Sequence, residues 1–195
     1  MALIGNPNTG KTTLFNRLCG LRARTANYPG STAEMRIGRC DRGDQKLEIV
    51  DLPGIYGMDL DLPESRMCRD CLDGRLEETP DAILVVIDAT APARGISLAI
   101  AAIARRLPTV IALNMADLAA RRGLSFDEDA LARRLGVPVV AISGRTGRGM
   151  DSLIGALQTV VPGHAVLPLP SATNRERKVW IDEAIAGSMG GHDAV

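Results

Sequence analysis

Short aliphatic runs alternate along the chain with longer stretches in which apolar residues recur three or four positions apart. Residues 2–4, 35–39, 47–50, 83–87, 110–113 and 137–142 are the aliphatic runs, and their length and β-branched content predict strands. Residues 11–19, 64–76, 95–106, 127–135 and 150–160 carry the helical spacing. Strands separated by helices in this way predict an α/β fold, with a mainly parallel six-stranded sheet and helices on both faces. Such a sheet places its ligands in the loops after the carboxyl ends of the strands. From Pro162 to Pro170 the chain is rich in proline, and a polar stretch from Ser171 to Ala186 follows, ahead of Gly190-Gly191. The division expected is a domain over residues 1–162, then a linker and the start of a truncated helical region over 163–195, with one helix around Arg177 to Ala186. No internal repeat or low-complexity tract interrupts it.

The 195 residues are 46% hydrophobic, enough to bury one substantial core. With 23 basic residues against 23 acidic, the net charge is zero, so no overall field gathers nucleic acid or an anionic bilayer. The longest apolar stretches fall short of the ~18 residues that span a membrane, and no leader-like pattern opens the chain, so this segment is expected to be soluble and cytosolic. Four cysteines without a dense framework fit reduced thiols. An aromatic content of 3% makes the expected core aliphatic.

The chemistry enters with Gly5-Asn6-Pro7-Asn8-Thr9-Gly10-Lys11-Thr12, which matches G-x-x-x-x-G-K-[ST] and lies between a strand and a helix, the context that gives this string its meaning. The glycines let successive backbone amides turn inward on phosphate oxygens, aided by the positive end of the helix. Asn6, Asn8, Thr9, Gly10, Lys11, Thr12 and Thr13 are therefore nucleotide-binding candidates, with Lys11 at the β- and γ-phosphates and the Thr12 hydroxyl on magnesium. Asp51-Leu52-Pro53-Gly54 follows another strand, which places the Asp51 carboxylate beside that magnesium and the Gly54 amide where it can sense the γ-phosphate. By itself this tetrapeptide is an ordinary turn. Its order after the first loop makes it a switch.

Asn114-Met115-Ala116-Asp117 comes directly after the strand ending at Leu113. In this pattern the Asp117 carboxylate accepts both edge N–H groups of guanine, a pair adenine cannot offer, and such a bidentate contact is worth roughly 1–3 kcal/mol. Asn114 ties this loop to the phosphate loop, and Ser143-Gly144, with Arg145 next to it, offers a backbone amide to guanine O6. A helix cap is the simpler explanation for Asn114 and Asp117 taken alone. Four such segments in order, on successive strand ends, predict a P-loop nucleoside triphosphatase (NTPase) of the G-domain type.

The residues between these segments carry a more specific resemblance. Ala2-Leu3-Ile4 before the first loop, Asn27-Tyr28-Pro29-Gly30-Ser31-Thr32, and Asp51-Leu52-Pro53-Gly54-Ile55-Tyr56 together resemble the cytosolic G domain of the bacterial FeoB ferrous iron transporters, over residues 2 to about 160. The resemblance implies an amino-terminal part of a longer protein whose membrane portion lies elsewhere. It also implies that Thr32 ligates magnesium and closes over the γ-phosphate. Asn8 would hold an activating potassium ion, with backbone carbonyls around Ala26 and Tyr28 completing its shell. A cation bridging the phosphates replaces an arginine finger, a role worth ~10³–10⁵ in rate. Lys11, Asn8, Thr32 and Gly54 are the catalytic set so implied.

Ile55 stands where signalling GTPases carry a water-orienting glutamine, which predicts slow intrinsic hydrolysis and leaves no general base to assign. Tyr28 stands where tryptophan is frequent in the family, and Gly144 replaces the usual alanine. The glycine-rich Thr146-Gly147-Arg148-Gly149 predicts a looser guanine clamp.

Other features carry less. Cys68-x-x-Cys71 is half a metal site, and buried thiols are the expectation. His164 and His192 lie in spacer-like sequence, Arg121-Arg122 and Arg133-Arg134 read as a solvated face, and Glu64 suits a helix's first turn. The function expected is a GTP-binding, GTP-hydrolysing switch that regulates or powers ferrous iron uptake from the cytoplasmic side of a bacterial inner membrane. Its partners would be GTP, GDP and the transporter's membrane portion. Nucleic acid is not expected, and self-association is compatible with the reading. The alternative classes are a soluble RNA- or ribosome-associated assembly GTPase, against which the neutral charge argues, and a nucleotide-binding scaffold without turnover.

Overall fold

The structure, a computed structural model, describes residues 1–20, 23–28, 32–42, 45–160 and 174–189. Its strands are β1 (Ala2–Gly5), β2 (Ala23–Asn27), β3 (Glu34–Arg42), β4 (Gln45–Asp51), β5 (Ile83–Asp88), β6 (Thr109–Asn114) and β7 (Val139–Ala141). The helices are α1 (Lys11–Cys19), α2 (Pro63–Leu72), α3 (Pro92–Ile103), α4 (Ala116–Arg121), α5 (Glu128–Leu135), α6 (Met150–Thr159) and α7 (Asn174–Ser188).

The seven strands form one sheet in the order β2-β3-β4-β1-β5-β6-β7. All neighbours are parallel except β3, which runs antiparallel to both β2 and β4. The class expected from the alternation of runs and helices is present, with one strand more than the six predicted. β2 is the addition. Its sequence, Ala-Arg-Thr-Ala-Asn, has no apolar run because it is an edge strand with only partial burial. β5 and β6, by contrast, are buried along almost their whole length, as strands covered on both faces must be.

Alternate residues feed two cores. Ile83, Val85 and Ile87 face one side with α2, α3, α5 and α7, while Leu84 and Val86 face the other with α1 and α6. Phe15, Leu14 and Leu18 of α1 fill that second layer against Leu3 and Ile49. Helix boundaries follow local chemistry. Proline opens α2 and α3 at positions where no intrahelical donor is lost. Asp127 caps α5 by accepting from the Ala130 amide at 2.9 Å, and Gly136 ends that helix with φ 72°.

Helix α7 closes on the same body. Ile181 and Ala184 are buried in the first core, Trp180 and Ile185 pack beside them, and Arg134 of α5 both lies over the Trp180 ring and pairs with Glu183. The Asp127 amide donates to the Ser188 carbonyl at 2.6 Å, next to a bridge between Phe126 and Met189. The helix is longer than the segment from Arg177 to Ala186 expected from sequence. The proline-rich segment with His164, and the tail with His192, lie outside the described residues. Among the described residues, no helix is long and apolar enough to cross a membrane.

Candidate nucleotide site

Strand order reverses about β1, whose neighbours β4 and β5 lead to opposite halves of the sheet. The crevice beyond its carboxyl end is where a doubly wound sheet takes a ligand. The sequence segments meet there. Residues Asn6 to Gly10 leave β1 and enter α1, and Gly10 holds φ 78°. A Cβ on Gly10 would come within 2.5 Å of the Asn114 side-chain nitrogen, so glycine is required twice over, for the left-handed turn and for the close approach. Asn8 also takes a left-handed φ of 65°, and its side chain is exposed.

Asn114, at the end of β6, is 2% exposed and holds two loops together. Its Nδ2 donates to the Thr9 carbonyl at 2.8 Å, and its Oδ1 accepts from the Gly144 amide at 2.8 Å. The expectation that this residue ties the base loop to the phosphate loop is met in atomic detail. Met115 adopts φ 62° and turns the chain into α4, a short helix with no apolar pattern of its own to announce it. Asp117 therefore sits in that helix's first turn, facing Arg145, whose Nη2 lies 2.8 Å from its Oδ2. The Arg145 hydrogen bond, then Ser143's, hold the Asp117 carboxyl below the ordinary carboxylate range. Gly10, Thr13, Asn114, Asp117, Ser143 and Arg145 line an open cavity of about 330 Å³ at this end.

At the phosphate end, Lys11 Nζ forms an ion pair with Asp51 Oδ1, and both side chains are nearly buried. The two groups expected to hold phosphate and magnesium thus satisfy each other. The Asn6 side chain is engaged within the protein. It is buried and donates to the Ile55 carbonyl at 2.8 Å, while the Ile55 amide donates to the Gly5 carbonyl at 3.1 Å, so the carboxamide fastens the two loops to each other. The Thr9 hydroxyl likewise turns back to the Asn6 carbonyl at 2.9 Å. Gly54 lies so close to this loop that a Cβ would stand 3.0 Å from Pro7 N and Cα. The Thr12 and Thr13 side chains are exposed at the start of α1, beside Lys11.

The remaining candidates are not gathered here. Ala26 is paired with Met35 in the β2–β3 ladder. Because Tyr28 N donates to Ala33 O, the alternation of an antiparallel pair engages the Ala26 carbonyl with β3 as well. β2 lies three strands, roughly 14 Å, from β1, so the ladder does not bring Ala26 and Tyr28 alongside Asn8. The Tyr28 hydroxyl instead donates to Asp70 of α2, which Arg75 also holds at 2.9 Å. Thr32 is exposed in the connection between β2 and β3.

Cys68 and Cys71 are structural in this arrangement. Cys68 donates weakly to the Pro53 carbonyl at 3.7 Å and Cys71 to that of Glu78 at 3.2 Å, and burial pushes the two thiols up to about 12 and about 11. No cluster of three or more His, Cys, Asp or Glu suited to a metal occurs among the described residues.

The sequence-family model described as "Ferrous iron transport protein B" matches residues 1–157. A Fe(2+) transport protein A/Fe(2+) transporter FeoB fusion protein of Porphyromonas gingivalis is 41% identical over 175 residues, covering 89% of this chain and 20% of that protein. The chain thus spans about a fifth of the length of this curated relative. Among solved structures, a mutant S. thermophilus NFeoB bound to GDP is 39% identical with a TM-score of 0.78, covering 90% of this chain and 66% of that one. The cytosolic domain of T. maritima FeoB in its GMPPNP form has a TM-score of 0.86 at 21% identity, covering 97% and 98%, which is a likeness of fold.

Proposed function

Because the chain belongs to the ferrous iron transport protein B family, we propose that it is the GTP-binding, GTP-hydrolysing switch domain of a longer ferrous iron transporter, acting on the cytoplasmic side of a bacterial inner membrane. The carrying observation is Asn114, which fastens the phosphate loop at Thr9 and the last loop at Gly144 around an open pocket with an ionised Asp117 at its rim. An acceptor-only carboxylate there suits the two edge donors of guanine and repels the acceptor edge of adenine. GDP bound to the S. thermophilus relative supports the same reading.

Magnesium fits the donors at the other end. The Thr12 hydroxyl and the Asp51 carboxylate are hard oxygen ligands, and Asp51 lies buried against the phosphate loop with Lys11 neutralising it. Magnesium, when bound, neutralises charge developing on the β- and γ-phosphate oxygens. Lys11, released from Asp51, reaches the same phosphates, and Gly54, packed on Pro7, reports the third phosphate through its amide. Thr32 closes over this group once the β2–β3 connection folds inward. A carboxamide at Asn8 suits a monovalent cation. Carbonyls from Ala26 and Tyr28 complete that shell only in a conformation where β2 has left β3, so potassium binding and closure of this segment would be one event.

GTP turnover by the intact chain, measured as phosphate release in potassium and in sodium with ATP as the control substrate, tests the proposal. Slow, magnesium-dependent release from GTP alone is expected, faster in potassium and losing that stimulation in Asn8→Ala. Release from ATP at the same rate would overturn the base assignment. No release in either salt would overturn the enzyme, and equal release in both would remove only the potassium role.

A further inference from the structure

Arg17 has no part in the site as the sequence describes it, yet it holds that site's last loop. It lies on α1, six positions beyond Lys11, and its Nε donates to the Gly144 carbonyl at 2.7 Å while Nη2 donates to the Arg145 carbonyl at 2.7 Å. Gly147 makes room for this fork. It has φ 88°, and a Cβ there would stand 2.9 Å from Arg17 Nη1.

The consequence lies in which amide remains for a base. The Gly144 N–H is taken by Asn114 Oδ1 at 2.8 Å, and the Thr146 N–H by the Ser143 hydroxyl at 3.2 Å. Between them the Arg145 N–H has no partner among the described residues. In a trans peptide the carbonyl and the following N–H point in opposite directions. By drawing the Gly144 carbonyl onto α1, Arg17 turns the Arg145 N–H away from that helix, and Arg145 is among the residues that line the cavity beside Asp117. In this conformation the Gly144 amide is engaged by Asn114, which leaves the next amide of the Ser143-Gly144-Arg145 turn for a base.

We propose that Arg17 is a positioning residue for base recognition: its bidentate grip on the Gly144 and Arg145 carbonyls orients the Arg145 amide as the donor to guanine O6. This rests on the guanine reading above. A guanidinium suits the task because its rigid fork spans two carbonyls on successive residues, which an ammonium cannot do.

The test compares GDP with 6-thio-GDP, which keeps the edge donors for Asp117 and the phosphates but replaces the oxygen by a poorer acceptor. Dissociation constants are measured by calorimetry for the wild-type chain, Arg17→Ala and Arg17→Lys, with folding checked by circular dichroism melts. In the wild type the swap weakens binding by about 5- to 10-fold, the worth of one neutral hydrogen bond. In Arg17→Ala, GDP weakens by a similar factor and the swap costs nothing further, with Arg17→Lys between the two. A swap that costs the same factor in wild type and variants leaves Arg17 a merely structural residue and overturns the proposal, as does a wild type indifferent to the swap. A wild-type chain that binds neither nucleotide overturns the guanine reading itself and the Arg17 role with it.

Discussion

Replacing Asn114 by alanine removes both arms of the bond between the phosphate loop and the last loop. The Thr9 carbonyl and the Gly144 amide, each 2.8 Å from the carboxamide, lose their partner in a place where Asn114 itself is 2% exposed. A buried polar group left unsatisfied costs about 1–3 kcal/mol. Two such groups set the range at about 2–6 kcal/mol, and water entering from the adjoining cavity brings the expected loss to about 2–4 kcal/mol. For a chain of this size each kcal/mol moves the melting point by about 2–4 °C, so the nucleotide-free variant should melt roughly 4–16 °C lower. Thermal unfolding followed by circular dichroism, without nucleotide, measures this directly. GDP should also stabilise the variant less than it does the wild type, because a ligand stabilises only in proportion to its affinity for the folded state. A variant that melts within about 2 °C of the wild type would show that the two loops are held by something other than Asn114, and the reasoning about the site's assembly would fail.

Three further outcomes follow from the same geometry. Asp117→Asn exchanges an acceptor for a donor at the rim of the pocket, so guanine should lose roughly 1–3 kcal/mol while xanthine, which offers an acceptor there, gains; competition between GDP and XDP reads this, and unchanged preference would remove Asp117 from base recognition. Ile181→Ala empties a buried position where α7 packs on α3 and α5, which should cost about 2–4 kcal/mol in urea unfolding and leave GDP affinity unchanged; an unaltered midpoint would mean that α7 does not share the core. Cys19, half-buried and raised to about 12 chiefly by burial, and Cys68, raised likewise, stay protonated at neutral pH because a raised value moves ionisation to higher pH. Iodoacetamide at pH about 8 should therefore modify the folded chain at least ~10²-fold more slowly than the chain in urea, and labelling at equal rates would refute the burial argument.

The strand-and-helix alternation was legible because strands covered on both faces must be continuously apolar, and β5 and β6 are. The phosphate and base loops were legible because each is a contiguous string placed directly after such a strand. β2 escaped because an edge strand needs no apolar run, and α4 because six residues beginning inside a binding motif show no period. The division of labour within the loops was hidden for a different reason. Asn6 reads as a phosphate-loop residue, yet its side chain reaches 49 positions along the chain to Ile55. Arg17 reads as a surface position of α1, yet its partners lie 127 and 128 positions away. Contacts of that range depend on which strands become neighbours, and no local pattern encodes them.

The two ends of the site differ in what a ligand must do on arrival. At the base end Asn114 has already joined the loops, and Asp117 stays ionised under its arginine, so a purine meets a largely formed edge. At the phosphate end, on the function proposed above, the Lys11–Asp51 pair must open before either partner can serve phosphate or magnesium. Opening it for phosphate alone would strand Asp51 as a buried anion, and opening it for magnesium alone would strand Lys11 as a cation; unpaired buried charge costs several kcal/mol in either case. Nucleotide and metal arriving together leave neither charge unpaired, so the ion pair favours their joint entry. The same loops connect this event to the surface. Pro53, next to Gly54, accepts from Cys68 of α2, and α2 in turn holds Tyr28 through Asp70. Any displacement of the Pro53–Gly54 turn therefore bears on α2, and through Asp70 on the Tyr28 hydroxyl at the β2 end.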